Sequence, residues 1–328
     1  MKVLLLGATG LLGHNVLQKL LAAGHDVSVL VRRADGIKLP GGGWQTFVGS
    51  PLDYATLLNA AKGCDAVMNC AGVTDMSLLR LEDYLPVNCE LPKLIVRVME
   101  EHEISTLVHT STVNTIGYGS VECPAAESEP MREPFKSSYY AQSKRMGEEI
   151  VRSASLKHPN GHYVIINPGY ILGAWDVKPS SGRMLQIAYN KRVAFAPRGG
   201  KAFVAVRDVA EAEVNALTKG VNGERYIVTN RCGNLAIREL YEMQARVMGY
   251  RQRVVELPDF VLSCAGYAGG VLRKCGACTE LSYTNVSQLM VREFYDNTHG
   301  IKDLGYKETP IEQAIAEYHE WKNNNKCI

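Results

Sequence analysis

What this 328-residue chain lacks narrows its class before any motif is considered. It has no charge imbalance: 36 lysines and arginines face 34 aspartates and glutamates, a net of +2 at pH 7. Without a basic surplus to neutralise phosphates, nucleic acid is not an expected partner. It has no long apolar run either. The longest charge-free apolar stretch beyond the N-terminus, Phe260 to Leu272, falls short of the roughly 20 residues of a spanning helix, so no transmembrane segment is expected. There is no disulfide pattern, because nine cysteines, an odd number, are scattered along the chain, which suits a reducing, cytoplasmic setting. The lone Cys275 and Cys278 pair lacks a second pair or nearby histidines to complete a tetrahedral zinc site, and no metal is assigned. The opening run Val3 to Leu6 is cut by Gly7, Gly10 and Gly13. It therefore reads as a buried strand and not as a secretory signal. At 46% hydrophobic and 21% charged residues, the composition is that of a globular protein and excludes a disordered or fibrous one.

What is present is a rhythm. Short, β-branched apolar runs at Val3 to Leu6, Val27 to Val31, Ala66 to Cys70, Leu107 to Thr110 and Tyr163 to Asn167 alternate with longer helical patterns. Between the first two runs, Leu11, Leu12, Val16, Leu20 and Leu21 recur at helical spacing and Gly24 supplies a stop. Repetition of this βαβ unit predicts an α/β fold, a doubly wound, parallel, Rossmann-like sheet. After Asn167 glycines and prolines break the pattern, a strand-like run at Tyr226 to Thr229 returns to the sheet, and Ile237 to Val247 and Ile311 to Trp321 read as amphipathic helices. The expected division is residues 1–167 and 203–230 for a dinucleotide-binding domain, with 168–202 and 231–328 forming a smaller, discontinuous substrate domain.

Gly7-Ala8-Thr9-Gly10-Leu11-Leu12-Gly13 joins the first strand to the first helix. The absent side chains allow a tight turn and let backbone N–H groups approach a pyrophosphate, although the spacing is GxxGxxG and not the simplest GxGxxG. About 20 residues further on, where a free ribose 2'-OH would want an acid, stand Arg32 and Arg33. Guanidinium groups there favour a 2'-phosphate, hence NADP(H), while nearby Asp35 leaves NAD(H) open. Tyr140 and Lys144 are one turn apart at the start of a predicted helix. An ammonium beside a phenol stabilises the phenolate, which draws a group with a pKa near ~10 toward usable acid–base chemistry. A second YxxxK pair, Tyr318 and Lys322, lies in the C-terminal helix far from the glycines and reads as structure. Thr110, Ser111 and Thr112 put hydroxyls at the carboxyl edge of the sheet, where doubly wound folds bind ligands, and His109 reads as a packed strand residue.

With these motifs and Asn167-Pro168-Gly169-Tyr170-Ile171-Leu172-Gly173 in order, the chain resembles the extended short-chain dehydrogenase/reductases over nearly its whole length. Val29-Leu30-Val31-Arg32 and the Pro168 to Gly173 segment make it most similar to the branch of dihydroflavonol reductases and 3β-hydroxysteroid dehydrogenases, and Phe203 to Ala210 and Asp303 to Tyr306 also resemble family patterns. The resemblance implies that Thr112 orients the substrate oxygen, Tyr140 exchanges the proton, and Lys144 supports both tyrosine and ribose. It further implies a cofactor site of Gly7, Thr9, Gly10, Leu11, Leu12, Gly13, Arg32, Arg33, Asp53, Ala71, Gly72, Thr110, Tyr140, Lys144, Pro168 and Tyr170. Asn88 is implied to be structural, and a homodimer through two sheet-flanking helices is the implied assembly. Departures from the pattern are Thr112 where serine is commoner, Ser50 where an aspartate often faces adenine, and Arg207 in place of an acid.

The expected function is therefore interconversion of a carbonyl and an alcohol by hydride transfer, on a small and hydrophobic substrate. Two rivals share the fold: a nucleotide-sugar epimerase or dehydratase retaining NAD, and a non-catalytic NADP(H) sensor. Pro258 to Lys274 reads equally as an apolar lid touching substrate or membrane and as an ordinary core helix.

Overall fold

A computed structural model describes residues 1–37, 41–177, 181–275, 279 and 281–325. Cys278 of the CxxC pair lies outside the described residues; the seven described cysteines are free, and no cluster of metal-binding side chains occurs among the described residues.

Seven strands form the main sheet: β1 (Lys2–Leu6), β2 (Asp26–Val31), β3 (Trp44–Val48), β4 (Ala66–Asn69), β5 (Thr106–Thr110), β6 (His162–Pro168) and, returning late in the chain, the strand Arg225–Val228. The order across the sheet is β3-β2-β1-β4-β5-β6 followed by Arg225–Val228, and every pairing is parallel. The predicted doubly wound sheet is thus present, as are all five strands read from the apolar runs, to within a residue at their ends. Helices α1 (Leu11–Ala22), α2 (Tyr54–Ala61), α3 (Leu91–Glu101) and α4 (Tyr139–Lys157) make the crossovers. Gly24 follows α1 with φ +76°, the left-handed conformation expected of a stop. Side chains alternate across β1: Val3 and Leu5 join the core shared with α1, while Leu4 and Leu6 join the one shared with α2 and α3.

The smaller part holds β7 (Tyr170–Leu172), α5 (Gly182–Ala188), β8 (Val193–Ala196) and β9 (Gly200–Ala205), then α6 (Val206–Asn215). After the main-sheet strand Arg225–Val228, which is β10, come β11 (Asn234–Ala236), α7 (Ile237–Val247), β12 (Arg253–Glu256), α8 (Asp259–Lys274), α9 (Tyr283–Ser287), α10 (Thr298–Leu304) and α11 (Ile311–Asn324). Within 203–230 the contacts change along the chain. Strand β9 pairs with β7 and β11 in a small sheet, whereas α6 packs on α1 and β10 lies on the main sheet.

Helix α8 is not a core helix. Phe260, Val271 and Leu272 are exposed, and Tyr267, also exposed, stacks on Tyr283 of α9 at 4.8 Å, while Gly266 and Gly269 face Tyr283 and Leu281; a Cβ on Gly269 would meet that of Leu281 at 2.4 Å. The Arg273 guanidinium ties its end to the carbonyls of Ser77 and Leu78, in the loop after β4. No helix among the described residues is long and apolar enough to cross a membrane.

Candidate active site

The strand order reverses where β1 lies between β2 and β4, so a crevice opens at their carboxyl ends. Gly7 leaves β1 at φ +82°, and a Cβ there would strike the Ala71 nitrogen and Cys70 carbonyl carbon at 2.6 Å. A Cβ on Gly13 would lie 2.0 Å from the Gly7 carbonyl oxygen. Both glycines are required for the turn to close against the Cys70-Ala71-Gly72 segment. Gly10 caps α1 without a side-chain hydrogen bond, which leaves first-turn N–H donors and the positive end of the helix facing the crevice. Thr9 is exposed beside Gly36, and Leu11 and Leu12 begin the helix. This cradle fits a dinucleotide's pyrophosphate.

Arg32 and Arg33 follow β2 on the rim and are exposed, with Arg33 donating to Asp35 at 2.9 Å. That contact engages the acid best placed to serve a ribose. Asp53 has a different employment: it caps α2, accepting from the Thr56 backbone nitrogen at 3.0 Å and from the Thr56 hydroxyl.

Ser138 caps α4 through the Ala141 nitrogen, so Tyr140 and Lys144 fall on the first turns with their side chains on one face. The Thr112 hydroxyl lies on the Tyr140 phenol's side of the site and favours its ionised form. The Lys144 ammonium donates to the Thr110 carbonyl at 2.6 Å and is buried. A Cβ added at Gly72 would lie 3.8 Å from it. Burial pulls the lysine down to about 8, opposed by the charges of Glu148, Cys70 and Glu213. The phenol behaves otherwise than the lysine's proximity suggests: desolvation pushes Tyr140 up to about 12, with only the Thr112 hydroxyl opposing it. Loss of water dominates at the phenol, because burial penalises its charged form. Tyr140 is accordingly a protonated donor here.

Thr112 is held from beneath. Asn167, on β6, donates to the Thr112 carbonyl at 2.9 Å and to Glu148 at 2.6 Å, and the Thr115 hydroxyl donates to the same carboxylate at 2.6 Å. Arg225 of β10 reaches Glu148 at 3.4 Å. Glu148 shares the α4 face of Lys144, a spacing visible in the sequence, and besides Arg145 of its own helix at 3.5 Å its partners come from three other elements. Asn88 accepts from Val73 and donates to the Ser143 hydroxyl, the structural role expected of it. His109 is buried against Asn69. Pro168 ends β6 beside this network; Tyr170 begins β7 and packs edge-on to Phe203 at 5.4 Å. Tyr318 of the second YxxxK is wholly buried and accepts from Gln186, away from this cluster.

A carboxylate the motifs did not signal completes the cluster: Glu213 on α6, buried, accepts from the Thr110 hydroxyl at 2.5 Å. Nothing local marks it, since it lies 103 residues from its partner.

A family model described as the NAD dependent epimerase/dehydratase family matches residues 3–230. The chain is similar to sterol demethylase protein B of Methylococcus capsulatus, at 26% identity over 98% of both chains. It is also similar to a putative dihydroflavonol 4-reductase of a Synechocystis species, at 25% identity over 98% of this chain and 94% of the relative. Among solved structures, the Thermus thermophilus UDP-glucose 4-epimerase in complex with NAD superposes with a TM-score of 0.74 at 20% identity, covering 99% of this chain and 100% of that one.

Proposed function

Because the chain belongs to the NAD dependent epimerase/dehydratase family and is an NAD(P)-dependent enzyme, we propose that it is an NADP(H)-dependent reductase or dehydrogenase interconverting a carbonyl and an alcohol. The observation that carries this reading is the convergence of Thr112, Tyr140 and a buried Lys144, whose ammonium is held by the Thr110 carbonyl. The chemistry the dinucleotide supplies when bound is hydride transfer. In the reductive direction, Thr112 and Tyr140 hold the carbonyl oxygen and Tyr140 delivers the proton as that oxygen gains charge. Lys144 then faces a phenolate and stabilises it. The glycine cradle and α1 hold the pyrophosphate, Gly72 and Lys144 border the ribose, and Arg32 with Arg33 receive a 2'-phosphate.

The exposed apolar residues of α8, joined through Arg273 to the loop that follows Gly72, support a hydrophobic substrate. The adjoining α3 and α4, with Met146 exposed on α4, support a homodimer built on that pair of helices. Asp35 on the same rim as the arginines is the feature that favours the rival reading, an NAD-retaining sugar epimerase. The deciding test follows NADPH and NADH absorbance with ketosteroids, dihydroflavonols, aromatic aldehydes and small ketones, beside Tyr140→Phe. Turnover with NADPH that collapses in the variant supports the reductase. Absence of net oxidation together with co-purifying NAD overturns it in favour of the epimerase.

A further inference from the structure

Glu213 has no part in the chemistry above, yet it lies directly under it. Its Oε1 accepts from the Thr110 hydroxyl, and the carbonyl of that same residue accepts from Lys144 at 2.6 Å. Its Oε2 is buried and has no partner. The Cys70 thiol, after β4, lies in the same group, and burial together with the nearby Glu213 pushes it up. A buried carboxyl with an unsatisfied oxygen is costly, and its nearest compensating charge is Lys144.

We propose that Glu213 is a positioning residue for Lys144, holding Thr110 so that its carbonyl anchors the ammonium and, in its ionised form, adding to the charge of Glu148 in favouring the protonated amine. The proposal rests on the reading of Lys144 as the ribose- and tyrosine-supporting cation.

The groups facing the carboxyl are Lys144 from α4, Cys70 from the end of β4 and Thr110 from β5. Charges on the other elements packed against α6 are engaged elsewhere. Lys19 of α1 pairs with Glu211, Lys201 of β9 with Glu293, Asp303 of α10 with His299, and His162 of β6 bonds the Ala216 carbonyl. Burial raises Glu213 to about 8, opposed by Thr110 and Lys144. A folded-state value above the unfolded 4.5 gives stability that is fully present below pH 4.5 and lost as the pH rises through about 8.

The test needs neither substrate nor cofactor, so an inactive protein in the assay above would leave it standing. Thermal unfolding is followed from pH 5 to pH 9 for wild type, Glu213→Gln and Glu213→Asp, alongside titration of the 13C-labelled Lys144 side chain, assigned with Lys144→Arg. Glu213→Gln is expected to flatten the fall in melting temperature toward pH 8 and to lower the lysine titration by about one pH unit, with Glu213→Asp restoring part of both. If Glu213→Gln does not fold, Thr110→Val replaces it, since it keeps the carbonyl and removes the hydroxyl link; the same fall in the lysine titration is expected. An unchanged lysine titration overturns the proposal even if stability drops, because a purely structural carboxyl would lower stability without moving the lysine.

Discussion

At the scale of single residues, the site is governed by competition between burial and hydrogen bonding. Tyr140 at about 12 and Lys144 at about 8 are both displaced toward their neutral forms by loss of water. Replacing Tyr140 with phenylalanine removes the proton donor but little binding surface, so kcat should fall by about 10² to 10⁴-fold while the NADPH dissociation constant, read by fluorescence titration, stays near wild type. Lys144 loses its proton as the pH rises through about 8, so kcat/KM should fall on the alkaline side of that value; a profile flat to pH 10 would remove the ammonium from the mechanism. Arg32→Ala should weaken NADPH about tenfold, about 1.4 kcal/mol, and leave NADH unaffected. Equal losses for both cofactors would show that the arginine does not read the 2'-phosphate.

Among elements, the β1–α1 turn and the α8–α9 pair show how glycine sets contact distance. A methyl at Gly13 has no space, because the obstructing atom is the backbone oxygen of Gly7, which cannot swing away. Gly13→Ala should therefore cost cofactor affinity at least about tenfold and lower the melting temperature, as the helix N-terminus is pushed from the crevice. Helix α8 gives the opposite contrast on its two sides. Changing exposed Phe260 or Val271 to serine should alter stability by less than about 0.5 kcal/mol, whereas Gly269→Ala drives a methyl into Leu281 and should separate α8 from α9. Urea denaturation distinguishes the two outcomes. Edge strand β3 was not anticipated, because Trp44 to Val48 is exposed on much of both faces and follows three glycines, leaving no apolar run to read. The short strands β7, β8, β9, β11 and β12 escaped for a related reason: each is three to six residues long, and glycines and prolines interrupt the pattern around them.

For the molecule as a whole, the backbone of Thr112 is held by residues far apart in the chain. Glu148 on α4 collects Asn167 from β6, Thr115 from the loop after β5 and Arg225 from β10. Glu148→Ala leaves Arg225 buried without its counter-charge, and such a break costs about 3 to 5 kcal/mol; chemical denaturation should show that loss, and kcat should drop as Thr112 loses its support. The sequence by itself determined the parallel sheet, the glycine turn and the pairing of Tyr140 with Lys144, because each is written in local periodicity or in a fixed spacing along one element. Only the tertiary structure decided that Asp53 caps a helix, that α8 leaves apolar side chains exposed, and that Glu148 and Glu213 bond to groups beside Thr112 and Lys144. Those roles arise from groups brought together across the sheet, and a carboxylate's partner, or its isolation from water, is a property of the packed chain with no counterpart in the order of its residues.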